Sequence, residues 1–467
     1  MVLFQLLLSP PHAVGTLLDV VLSLYNSYFR SAPLLSLPDR RSLKDFDVDP
    51  HTGFFPPTPL RRLPPSFDLW EDGLALGAGH LCLGDDSSEE ALSKRDYGQR
   101  WRDDINSWPT ISVHELKDDL RLLQRAHYVL SWLVHLYVHS VPSSPTPPEV
   151  LVVPQSIAVP LVEVSELLQI APVLTFADTV LWNYELINPD EPLSVTNIRF
   201  RYLFSGTEDE HNFYLSSAQA ELVGVEMLRV FDEYYRLSPN AGDYAAVGKV
   251  SRDLIRLSGI INDIHEVIQS VRPGCDPHVF YWQVRPWWNG SGSDGPRWKY
   301  EGVPKDEKLL RSGPSAGQSA VMHALDIFLG VDHKSGADAK DRHTQFMEKM
   351  RQYMPGKHRD YLAYLSSSSR PIRELAKEES ILRDPFNAAV AALQKLRTEH
   401  IKIACRYIVT MAHSQSNSGC PVASTWAHQQ SGGPGRGNAL GTGGNTVTTL
   451  LKHGRDATKR TALPGRT

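Results

Sequence analysis

The chain has 467 residues, 41% of them hydrophobic, and its 48 Lys and Arg against 53 Asp and Glu leave a formal net charge of -5. That length and apolar share allow a large buried core and more than one domain. Scattered Lys and Arg form no basic stripe, which excludes nucleic-acid and membrane-surface roles. Cys82, Cys275, Cys405 and Cys420 stand far apart with no CxxC pair, which argues against a zinc site or disulfide framework and for a reducing compartment, the cytoplasm.

The first 45 residues open with an apolar run that has no basic n-region, is broken by Pro10-Pro11 and carries Asp19. They read as an N-terminal extension, poorly ordered or amphipathic, not as a signal peptide or anchor. Residues 46–165 form a small domain. Its first part, to about Pro109, is rich in Pro, Gly and charge and reads as loops and short helices. A capping box at Ser112 and Glu115 then starts a helix whose apolar positions run from Leu116 to Tyr137, before Pro142 to Pro148 end it.

Residues 166–412 read as a large all-α domain, so the fold class is mainly α. Val247, Val250, Leu254, Leu257, Ile261, Ile264 and Ile268 recur at steps of three and four until Arg272-Pro273-Gly274. Helices are also expected at 217–237, 316–330, 340–353 and 385–412, and no series of alternating strands follows residue 190. Residues 413–438 are rich in Gly and Ser and read as a mobile loop, followed by a segment at 439–467 that includes Gly441-Thr442-Gly443-Gly444.

Asp384-Pro385 supplies an N-cap and first-turn pair for the last long helix. Its apolar face runs through Phe386, Ala389, Leu393 and Leu396 to Ile403, Tyr407 and Met411, and His400 fills the slot between Leu396 and Ile403. An imidazole therefore points inward and needs a partner there, either a haem iron or a backbone carbonyl. Arg397, one turn earlier, is compatible with a haem propionate or with solvent.

Several segments, in order, resemble the indoleamine 2,3-dioxygenase family: SIAVPLVEVSELLQIAPVLTFADTVLWNYELINPDEPL, FRYLFSG, NFYLSSAQAELVG, DPHVFYWQVRP, YEGV, SAGQSAVMHALDIFLG, QFMEKMRQYMPGKHRDYL, LRTEHIKIACRYI and GTGGNT. The resemblance covers roughly residues 46–412 plus the GTGG segment. It implies one haem b per chain, ligated through the proximal side by His400 and ferrous in the active state, with Ser315, Ala316 and Arg397 beside the cofactor. It also implies that Arg285 holds the carboxylate of L-tryptophan or a related indoleamine. Phe280, Tyr281, Phe176, Thr179, Val180, Phe213, Tyr214 and Ser217 would then line the pocket, with Gly441 and Thr442 in a closing loop.

The activity so implied is insertion of both atoms of O2 across the indole C2=C3 bond, giving N-formylkynurenine at the first step of the kynurenine pathway. No acid or base stands among these pocket residues, so none is expected to abstract a proton. An electron donor keeps the haem ferrous, and the protein is expected to be a monomer without nucleic-acid or membrane partners. Two Phe-Tyr pairs stand where known relatives have Phe-Phe, and Gly313-Pro314 where they have Gly-Gly. These departures leave an alternative from another class, a haem- or tryptophan-binding sensor with weak or no turnover. A cofactor-free scaffold would instead be colourless.

Overall fold

Residues 42–144, 148–237, 242–291, 296–333, 342–414 and 447–464 are described by a computed structural model. The first 41 residues, most of the 413–438 segment and Gly441 to Gly444 lie outside them. From Leu43 onward the main hydrophobic core of the described residues runs from Phe46 to Leu463, and Tyr281 with Ala412 forms a small separate cluster.

In chain order the longer helices of the first third are α1 (Asp68–Gly77), α2 (Glu89–Ser107), α3 (Leu120–His139) and α4 (Gln155–Leu168). After them come α5 (Glu208–Leu237), α6 (Tyr244–Gln269), α7 (Ala320–Leu329) and α8 (Arg342–Arg351). The set closes with α9 (Gly356–Ser366), α10 (Ile372–Glu378), α11 (Ser380–Ala404) and α12 (Val447–Thr461). Strand β1 (Val150–Val153) pairs in parallel with β4 (Arg297–Tyr300), and β2 (Tyr184–Glu185) pairs antiparallel with β3 (Arg199–Phe200). The mainly α expectation holds; these two small sheets only staple loops.

The apolar stripe of α6 does what its spacing predicts. Val247, Val250, Leu254, Leu257, Ile261 and Ile264 are each at most 2% exposed, and burying each side chain contributes roughly 1.5–3 kcal/mol. They pack along α11 on one side and α5 on another, while α12 lies against α11. The helix that carries His400 is thereby held between two long elements.

Several boundaries differ from expectation. The expected capping box does not start α3: Ser112 only accepts from His114 N at a 3-10 turn, and the helix begins after Asp119, whose carboxylate accepts from Arg121 N and Leu122 N. Asp384 is not the N-cap of α11, because the helix begins at Ser380 and carries Pro385 inside it. So near the N-terminus a proline forfeits one bond, to the carbonyl of Ile381, and the helix tolerates it. The polar stretch before Pro109 holds the 19-residue α2, capped by Ser88, which accepts from Ala91 N, and fixed by buried Trp101 and Ile105. Its polar composition reads as loops and short helices, and burial of one narrow face is enough to make this longer helix.

Three stretches widen into π-helical turns: Ala177–Leu181, Phe280–Val284 and Cys405–Thr410. Such one-turn insertions redirect side chains and concentrate at functional sites. The first two carry pocket candidates, and the third follows His400 by one and a half turns.

Candidate active site

His400 leaves α11 toward the interior as the apolar spacing requires. Protein surrounds it, and burial followed by the nearby Arg397 cation lowers its pKa, so the ring is neutral at pH 7. The imidazole nevertheless retains partial accessibility and makes no hydrogen bond to any described residue. Among the described residues, the carbonyl partner that the sequence left open is not found. Nor does it belong to a cluster of three or more His, Cys, Asp or Glu able to hold a metal among the described residues. A lone neutral imidazole with uncommitted nitrogen suits an iron whose other ligands come from a macrocycle.

The aromatic candidates come together. Phe213 on α5 and Phe280 have ring centroids 4.7 Å apart, and both contact Trp288, at 5.2 and 5.6 Å. Phe280 also meets Tyr407 edge-on at 5.6 Å, which joins this wall to the turn beyond His400. Arg285 is 4% exposed, its guanidinium carbon 5.3 Å from the centre of the Tyr281 ring. A solvated surface arginine is thus excluded, and the cation sits against an aromatic face as a buried carboxylate receptor would.

Tyr214, one of the departures, has a definite role. Its hydroxyl accepts from Trp288 Nε1 at 3.0 Å, and burial together with the adjacent Glu210 carboxyl holds the phenol well above its ordinary pKa. The extra oxygen is absorbed by the wall.

The segment carrying Phe176, Thr179 and Val180 packs on α5 and is tied to the SAGQS loop by Gln318. That side chain accepts from Phe176 N at 2.8 Å and donates to Gly313 O at 3.0 Å. Thr179 Oγ1 donates to Thr175 O and Ser217 Oγ to Phe213 O, both at 3.2 Å. Both hydroxyl protons are committed to backbone carbonyls, so these side chains offer lone pairs rather than protons to a ligand. Ser315 caps its 3-10 turn by accepting from Gly317 N, and Ala316 is exposed.

Arg397 is mostly buried and paired within the protein. It forks onto Asp326 of α7 with two contacts of 2.6 Å and donates to Gly454 O and Thr458 of α12. A propionate contact would therefore have to share a guanidinium already engaged at both terminal nitrogens. Sequence reading missed Asp326, Gln318 and Glu221. Glu221 lies one turn beyond Ser217, accepts from Ser319 Oγ, keeps Oε2 buried without a partner and is pushed up to about 7 by burial. A carboxylate four residues after Ser217 was the available signal.

An all-α bundle with an inward imidazole uncommitted among the described residues, an aromatic wall and a buried arginine defines a candidate small-molecule site. The chain belongs to the indoleamine 2,3-dioxygenase family, whose model matches residues 42–461. Indoleamine 2,3-dioxygenase 1 of Rattus norvegicus is 28% identical over 429 residues, spanning 91% of this chain and 96% of the relative. The indoleamine 2,3-dioxygenase of Saccharomyces cerevisiae is 29% identical over 448 residues (90% and 93%). Indoleamine 2,3-dioxygenase 2 of Homo sapiens is 30% identical over 429 residues (90% and 96%). Membership carries with it a dioxygenase class of chemistry. Among the described residues no helix is long and apolar enough to cross a membrane.

Proposed function

We propose that this chain is a haem-dependent dioxygenase that opens the pyrrole ring of L-tryptophan to give N-formylkynurenine, the entry step of the kynurenine pathway, as a cytoplasmic monomer. The observation that carries the reading is His400, a neutral imidazole inside the bundle with no hydrogen bond to any described residue. Haem b held by His400 would supply the activation of O2. An electron donor would keep the iron ferrous.

The residues themselves divide the remaining work. Arg285, buried against Tyr281, would take the substrate carboxylate through two parallel hydrogen bonds and so fix the indole. Phe213, Phe280 and Trp288 would supply the apolar planes that hold the ring and exclude water. Ser217 and Thr179, as acceptors only, would receive a hydrogen bond from an N–H without giving up a proton. The expected closing loop at Gly441 and Thr442 remains part of the proposal, and its residues lie outside those described.

The test is aerobic incubation of reduced, haem-loaded protein with L-tryptophan. Formylkynurenine formed in proportion to enzyme supports the reading. Haem or tryptophan binding without product would point to the sensor alternative, and protein that binds neither haem nor L-tryptophan would overturn both.

A further inference from the structure

Arg285 opens a short 3-10 turn, Arg285–Trp288, that ends at Asn289. Side chains from elsewhere hold that turn at three atoms. His135 Nδ1 lies 2.8 Å from Trp287 O, and His139 Nε2 lies 2.7 Å from Asn289 O. Tyr214 takes Trp288 Nε1.

The two histidines are one turn apart on α3, so they share one ridge of a helix that is otherwise packed in the core. A carbonyl oxygen can only accept, so each bonding nitrogen carries the proton: His135 is the Nδ1–H tautomer and His139 the Nε2–H tautomer. Burial keeps both rings neutral, His135 lowered to about 3 and His139 to about 4. His135 Nε2 is buried with no hydrogen-bond partner among the described residues. A core helix that spends an unpaired nitrogen to secure one carbonyl is fixing a position rather than adding stability.

The same ridge continues to a second wall. Two turns before His135, His127 Nδ1 lies 2.8 Å from Asp178 Oδ1, inside the π-helical turn that carries Thr179 and Val180. Asp178 in turn accepts from the Thr175 amide and hydroxyl, at 2.8 and 2.7 Å. One rigid helix thereby sets the spacing between the Arg285 turn and the opposite pocket segment.

We propose that His135 and His139 are positioning residues that hold Arg285 at the reach its substrate carboxylate requires. The inference rests on the reading of Arg285 as the carboxylate receptor. A displacement of about 1 Å at such a group is enough to lose much of its benefit. Removing the donors acts on carboxylate recognition and leaves the aromatic part of the pocket in place.

The experiment is calorimetric titration of full-length, haem-loaded protein with L-tryptophan and with tryptamine, which has the same indole but no carboxylate. In H135L and H139L, affinity for L-tryptophan falls about tenfold while that for tryptamine changes less than about twofold. H135N and H139Q, which return an N–H to the corresponding place, recover most of the loss. Where a leucine variant fails to fold, H139N keeps a polar side chain but falls short of the carbonyl, and it shows the same selective loss.

Equal weakening of both ligands, or of neither, overturns the positioning role. R285A separates the two layers of the inference. If it loses its preference for L-tryptophan over tryptamine, the receptor reading stands whatever the histidine variants do; if it keeps that preference, the receptor and the positioning role fall together.

Discussion

Helices α3 and α11 both send histidines into the interior, in opposite states. On α3, His127 bridges Asp178 and Ala171 O, and His135 and His139 bind the Trp287 and Asn289 carbonyls. On α11, His400 bonds to no described residue. Burial depresses the basicity of His135, His139 and His400 alike, so environment alone does not distinguish them. Commitment of the ring nitrogens does: the α3 histidines are structural pins, and His400 has its lone pair available for an external ligand.

The sharpest break of that contrast is His400→Ala. Haem ligation through histidine is expected to vanish, with loss of the histidine-type ferrous–CO spectrum and of turnover, while the apoprotein melts within about 1 kcal/mol of wild type because no hydrogen bond to a described residue is lost. An unaltered spectrum would refute the assignment. His127→Leu should do the reverse. It strands Asp178 Oδ1 and Ala171 O in the core and costs about 2–4 kcal/mol of stability, yet leaves the haem spectrum unchanged in the protein that remains folded. Denaturant titration against a Soret measurement checks both halves.

Mild acid tests the comparison most gently. His135 is lowered to about 3, and His139, His323 and His358 to about 4, all chiefly by burial. Below the unfolded-state value of about 6.5 the unfolded chain binds protons that these folded histidines refuse. Their contribution is full above pH 6.5 and is lost as pH falls toward 4. Glu221, raised to about 7, works in the other direction between pH 7 and about 4.5. Four imidazoles outweigh one carboxyl, so Tm should fall steadily from pH 6.5 to 4.5. A Tm that stays flat or rises over that window would contradict the burial of these groups.

How much could be read beforehand follows the range over which each signal acts. The step pattern of α6 and the inward aim of His400 were legible because a helix repeats every 3.6 residues, so local spacing alone says which face is buried. The start of α11 was read five residues late because a proline that suits a first turn is also tolerated just inside one. His127, His135 and His139 are spaced at multiples of four in an apolar segment; that ridge was visible in principle and passed over. Arg285 took its expected role from the resemblance alone, and Arg397 read as open to a propionate or to solvent until Asp326 of a different helix was brought beside it.

By itself, then, the sequence determined the helical elements, their buried faces and the family to which the chain belongs. Only the tertiary structure decided which inward-facing polar groups are satisfied. His135 meets a carbonyl 152 residues away and Arg397 a carboxylate 71 residues away, pairings that no periodicity encodes because they depend on how separate helices pack. Among the described residues the same packing leaves the His400 ring without a hydrogen-bond partner, which is the property that makes a core histidine into a candidate ligand.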